Sequence, residues 1–197
     1  MLNFSSTLLL FSFKTNFYMN NFIKRYQKPL LVAGCVAFWA TCNALAVLGT
    51  ANVNVPEYYA IIKPSLAPPT WVFGVVWTFN TILMTYGLYL TICKYLEKQT
   101  LVLRNFLILQ GAIWVNYVVF QYLSFGLKWN FMFFFATFTM WLMTIGALFL
   151  GYKIDTDGQS FSKAIKSGKS LTCCFISLIC WLTLATAFGF QIWQGIR

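Results

Sequence analysis

The sequence predicts an all-α membrane protein, a bundle of five transmembrane helices. Three observations predict it. Of 197 residues, 59% are hydrophobic and only 9% charged, against about 25% charged in a soluble domain. The long apolar runs lack the roughly ten-residue alternating segments of a lipid-exposed β-barrel. Five of these runs each approach the roughly 20 residues that carry a helix across about 30 Å of hydrocarbon.

The spans follow in order. The first, Pro29–Thr50, comes directly after the basic cluster Lys24, Arg25 and Lys28. Trp71–Cys93 is the second, and it ends where Lys94, Glu97, Lys98 and Arg104 mark a polar connection. The third, Leu103–Phe125, meets the fourth, Trp129–Tyr152, through a turn at Gly126–Lys128. So short a turn makes those two helices antiparallel neighbours. Residues 153–169 carry Lys153, Asp155, Asp157, Lys163, Lys166 and Lys169, and the fifth span, Leu171–Trp193, follows them. No composition shift or internal repeat divides the chain. Residues 29–197 therefore form one membrane domain. Residues 1–28 read as an N-terminal extension, either a targeting segment or an upstream start before Met19.

The formal net charge of +10 has a topological reading. With five spans, the N-terminal side holds Lys14, Lys24, Arg25, Lys28 and the basic residues of the second and fourth connections, whereas the other side holds Lys63, Lys128 and Arg197. Lys and Arg are retained on the cytoplasmic side. This places the N-terminus inside and the C-terminus outside, in a bacterial or an organelle membrane. No basic–aromatic recognition module accompanies the charge, so a nucleic-acid partner is not expected.

Absences narrow the chemistry. There is no histidine, which removes His-ligated haem, His-containing zinc sites and His-based triads. The six cysteines form no CxxC pair and read as small buried hydrophobes; no metal site is expected. The four acids, Glu57, Glu97, Asp155 and Asp157, all lie outside the predicted spans, which argues against a proton-relay pump.

The stretch "KPSLAPPTWVFGVVWT", residues 63–78, carries the most information. Pro64, Pro68 and Pro69 each fix φ and restrain the residue before them, so residues 63–69 should form a stiff lid. Pro69 suits the launch of the second span. Trp71 reads either as an interfacial anchor or as part of a site. Trp77 lies about 9 Å deeper along a helix. It shares a face with Phe73, Asn80, Thr81 and Met84, and amide and hydroxyl groups on that face should turn it into the bundle. Such a face either packs helices together or lines a pocket.

"YYAIIKPSLAPPTWVFGVVWTFNTILM" resembles the signature of the TspO/translocator family, the tryptophan-rich sensory proteins or peripheral-type benzodiazepine receptors. The resemblance rests on Tyr58, Lys63, Pro64, Pro68, Pro69, Trp71, Phe73, Val76, Trp77 and Met84. Gln110, Asn116, Trp141, Trp181, Ala185, Ile192 and Trp193 extend it more loosely. It implies a five-helix bundle whose Pro-rich first loop caps an internal ligand cavity. The member is divergent. Glu57 stands where the signature has its first Trp, Asn80 and Thr81 replace a Leu-Tyr pair, and Val119-Phe120-Gln121 replaces Trp-Ser-Pro. Ala136 aligns near an Asp, and Ser177 and Gly189 replace Pro and Asn in the last span.

From the resemblance follows an expected ligand, porphyrin (protoporphyrin IX or haem) or a similar hydrophobic molecule, with sterol as another candidate and no required cofactor. The implied ligand-binding set is Tyr58, Pro68, Pro69, Trp71, Phe73, Trp77, Thr81, Asn116, Phe120, Trp181 and Ala185. A receptor or sensor is the leading function. The alternatives are a carrier of such ligands and a light-dependent porphyrin-degrading enzyme that uses Trp77 and Trp181; no other catalytic residue is expected. Leu90, Tyr95 and Lys98 fit the loose cholesterol pattern. Gln110, Trp114, Tyr117 and Gln121 share a face expected to pack on neighbouring helices or on a second copy, as a homodimer.

Overall fold

A computed structural model describes residues 27–64 and 67–195. The proposed N-terminal extension lies outside the described residues except for Gln27 and Lys28, which are already helical. Among the described residues, five helices are long and apolar enough to cross a membrane: α1 (Gln27–Leu48), α3 (Thr70–Glu97), α4 with its continuation (Leu101–Gly126), α5 (Asn130–Asp155) and α7 (Cys173–Gln194). At 1.5 Å per residue they run from about 33 to 42 Å, enough for the hydrocarbon and part of the headgroup layer. In lipid only a helix satisfies its own backbone hydrogen bonds along such a length. Two short helices, α2 (Val55–Ile62) and α6 (Phe161–Lys166), sit in the connections.

The long helices form a closed ring. α5 packs most extensively on α7, and α4 on α5, while α3 bridges α7 and α4. α1 packs against α3 and α4: Trp39 Nε1 donates to Thr81 Oγ1 of α3 at 3.1 Å, and Tyr117 Oη of α4 donates to Asn43 Oδ1 at 3.1 Å. Phe38 meets Trp114 edge-on with centroids 5.4 Å apart. The α4 face carrying Gln110, Trp114 and Tyr117 is therefore buried within one chain. Packing on neighbouring helices therefore accounts for Gln110, Trp114 and Tyr117, while Gln121, the fourth residue of the expected face, is half-buried.

Gly189 explains why α5 and α7 pack most closely. A Cβ at that position would lie 2.6 Å from the Phe133 carbonyl oxygen, so the Asn-to-Gly departure brings the two backbones into direct contact. Gly126 does the same at the end of α4, where a Cβ would meet the Gly49 carbonyl oxygen. The side chains that face outward, such as Val75, Phe79, Ile82, Ile108 and Phe149, are large, apolar and exposed, as a hydrocarbon surround requires.

The first connection is not the proline-stiffened strap alone. It contains α2, which sequence reasoning missed. Asn54 caps it: the Glu57 amide donates to Asn54 Oδ1 at 3.4 Å, and Asn54 Nδ2 donates to Glu57 Oε2 at 3.0 Å. Glu57, the departure from the signature Trp, thus serves a reciprocal cap. The proline strap then leads into α3. Pro64 is buried, the Ala67 amide donates to the Pro64 carbonyl at 3.0 Å, and Pro69 occupies the N-cap of α3.

Candidate functional site

Beneath α2, at the end of the bundle formed by the first and third connections, lies a hollow of about 300 Å3. Its walls come from four elements. α1 supplies Asn43, Ala46, Val47 and, just past its end, Thr50; α2 supplies Val55, Pro56 and Tyr59; α3 supplies Thr70, Phe73, Gly74, Trp77 and Thr78. The fourth wall is Tyr117 and Phe120 with Gln121 and Phe125. Residues Gln121–Gly126 form a π-helical turn continuing α4. π-turns insert an extra residue into a helix and recur at functional sites; here the widening lets Phe120, Gln121 and Phe125 all reach the hollow. A narrow slit extends inward from the same walls, between Tyr59, Phe73, Trp77 and Phe120 on one side and Phe133, Ala185 and Gly189 on the other.

The surfaces are aromatic and interlocked. The Trp77 ring lies 5.2 Å from Tyr117 and 6.3 Å from Phe120, both tilted. Phe120, Phe125 and Phe133 meet edge-to-face, with centroids 4.8–5.8 Å apart. Such contacts hold the rings at fixed orientation while leaving π faces available to a flat guest. Polar groups are few. Asn43 accepts from Tyr117 and donates through Nδ2 to the Trp39 carbonyl. Tyr59 is 2% exposed, and its hydroxyl has no hydrogen-bond partner. Burial pushes its phenol pKa well above the ordinary value, so the group stays a neutral O–H. A buried hydroxyl without a partner costs about 1–3 kcal/mol, and a ligand acceptor would relieve that cost.

The expected site residues divide into three groups. Phe73, Trp77 and Phe120 line both hollow and slit, and Ala185 lines the slit. Trp181 is buried one layer back, with Phe73 edge-on against it at 4.9 Å; its indole N–H has no partner. The rest lie elsewhere. Tyr58 donates to Asn130 Oδ1 at 2.8 Å and has the Lys128 ammonium over its ring at 5.5 Å, so it fastens α2 to the start of α5. Pro68 and Pro69 shape the approach to α3, and Trp71 is 70% exposed, facing away from the bundle. Thr81 holds the α1 indole. Asn116 Nδ2 donates to Thr139 Oγ1 at 2.7 Å, joining α4 to α5 rather than pointing into the hollow.

Sequence reasoning missed Tyr59, Tyr117 and Phe125. Val55, Tyr59 and Ile62 recur at i, i+4 and i+7, a helical stripe that would have identified Tyr59 had α2 been expected.

A model of the TspO/MBR family matches residues 31–194, from the first turns of α1 to the last residue of α7. The chain belongs to the TspO/MBR family. Among curated proteins, none matches it. Several departures of this TspO/MBR member from the signature now have structural places. Phe120 and Gln121 form part of the wall and Gly189 part of the slit. Asn80 and Thr81 are fully buried below it, with Asn80 Nδ2 donating to the Val76 carbonyl at 3.0 Å.

Proposed function

We propose that this TspO/MBR membrane protein is a receptor or sensor holding a porphyrin, protoporphyrin IX or haem, or a similar flat hydrophobic molecule beneath α2. The observation that carries the reading is the hollow walled by Trp77, Tyr117, Phe120 and Phe125, with Tyr59 in the same wall and its hydroxyl without a hydrogen-bond partner. An apolar pocket with one or two placed polar groups is the usual form of a small-molecule site. The aromatic faces supply contact area, and Tyr59 orients a carboxylate or ring-nitrogen acceptor.

Size refines the reading. About 300 Å3 sits at the lower end of the roughly 300–1,000 Å3 typical of ligand pockets. One edge of a tetrapyrrole fits, and the remainder leaves through the side. That side is open between α1 and α3, where Val47 and Thr78 are exposed and a Cβ on Gly74 would meet nothing within 4 Å. The ligand then enters laterally from the bilayer, not through α2. The excess of basic residues at the opposite end favours a cytoplasmic N-terminus, which puts this hollow on the outer side. All the walls of the hollow come from a single chain.

Titration of purified protein with protoporphyrin IX in darkness tests this. Saturable quenching of tryptophan fluorescence is the expected result, weakened in Gly74→Leu, and no quenching at micromolar ligand overturns it. Illumination separates the enzymatic alternative, which requires a new absorbing product lost in Trp77→Phe or Trp181→Phe. Uptake into proteoliposomes separates the carrier.

A further inference from the structure

A second apolar feature lies at the other end of the α1–α3 interface and is independent of the hollow beneath α2. Val32, Val36 and Trp39 of α1 face Ile82, Tyr86 and Tyr89 of α3 across a groove of about 450 Å3. Val32, Val36, Ile82 and Tyr86 are exposed, so the groove opens along the bundle surface that faces hydrocarbon. We propose that it is a binding site for an anionic glycerophospholipid of the surrounding bilayer, with one acyl chain in the groove and the phosphate at its basic end.

Shape selects a chain. Val32 to Trp39 and Ile82 to Tyr89 each span seven residues, about 10 Å along a helix axis. Spread over that length, about 450 Å3 leaves a cross-section of about 45 Å2. A methylene chain lies along a groove of that section, which a helix with its side chains, about 10–12 Å across, would fill from wall to wall.

Charge selects the headgroup. Lys28 stands one helical turn beyond Val32, about 6 Å along the axis, and is exposed. Tyr86, which lines the groove, donates through its hydroxyl to the Gly168 carbonyl at 2.9 Å. That bond fixes beside the groove a connection carrying Lys166 and Lys169. From Lys28, Lys94, Lys98, Arg104, Lys153, Lys163, Lys166 and Lys169 against Glu97, Asp155 and Asp157, this end of the described structure has eight basic and three acidic side chains. Among the described residues, its ion pairs take Lys94 to Asp155 and Lys98 to Asp157. Basic clusters between spans at a membrane surface bind anionic headgroups.

Trp39 makes the site readable. The full chain is reconstituted in phosphatidylcholine vesicles containing either phosphatidylglycerol or phosphatidylcholine with brominated acyl chains, and the quenching lost in Trp39→Phe is taken as the Trp39 component. The brominated phosphatidylglycerol should quench that component at a mole fraction at least about threefold lower. Lys28→Gln with Lys169→Gln should remove the preference while leaving quenching by brominated phosphatidylcholine unchanged. Val36→Phe, at an exposed position, should reduce quenching by both. Equal quenching by the two lipids, a preference that survives the double substitution, or displacement of phosphatidylglycerol by a sterol at equal mole fraction each overturns the proposal.

Discussion

The two ends of the bundle use polar groups in opposite ways. At the end holding the second and fourth connections, Asp155 is fully buried and saturated. It accepts from Ser170 Oγ at 2.7 Å, from the Leu171 and Thr172 amides at 3.0 Å each, from Thr172 Oγ1 at 2.9 Å and from Lys94 Nζ at 3.3 Å. One carboxylate thereby ties α5 to the N-terminus of α7 and to α3. It also meets the unsatisfied amides and positive dipole at a helix start. At the lid end the Tyr59 hydroxyl is buried without a partner in the wall of the hollow, and the Trp181 N–H is buried without one a layer behind it. A satisfied buried network rigidifies, while an unsatisfied buried group costs stability. Rigidity at one end lets the other keep a hollow without the bundle coming apart.

Breaking the saturated end should have the largest effect. Asp155→Ala strands the Lys94 ammonium and four donors of the α7 start. Removing one partner of a buried ion pair costs about 3–5 kcal/mol, to be measured as a lowered midpoint of unfolding in detergent. A loss below about 1 kcal/mol would mean that the two ends do not differ in this way.

The lid-end changes should be smaller in stability and visible in binding. A Cβ at Gly74 meets no atom within 4 Å and the position is exposed, so the midpoint of unfolding of Gly74→Leu should stay within about 0.5 kcal/mol of wild type, the usual range for surface substitutions. Its association rate for protoporphyrin IX should fall several-fold in stopped-flow quenching, because the side chain stands in the lateral opening. Tyr58→Phe removes the bond to Asn130 and loosens α2. At about 1 kcal/mol for such a bond, the expected change is a roughly fivefold faster dissociation with the bundle intact.

Five spans were legible because hydrocarbon thickness sets a length that composition reveals directly. The ends were less so: α3 runs to Glu97, beyond the apolar run that ended at Cys93, and α5 to Asp155, beyond the one that ended at Tyr152. α2 escaped because eight residues with a proline inside carry little periodicity, although Asn54 and Glu57 hold the spacing of a cap. In the site, Trp77 was placed inward by its helical partners, and Asn80, Thr81 and Met84 are indeed buried with it. Trp71 is six residues earlier, about 240° around the helix, and faces out. Asn116 and Thr81 could not be resolved by pattern. A buried amide or hydroxyl looks the same in sequence whether it meets a ligand or a neighbouring helix, and here Thr139 and Trp39 reach them first.

The most direct measurement sets the inner tryptophan against the outer one. Trp77→Phe and Trp71→Phe are titrated in parallel with protoporphyrin IX in the dark. If flat ligands bind beneath α2, Trp77→Phe weakens affinity about tenfold, about 1.4 kcal/mol, and Trp71→Phe leaves it at the wild-type value. Equal affinities for the two variants, or a loss confined to Trp71→Phe, would contradict the account.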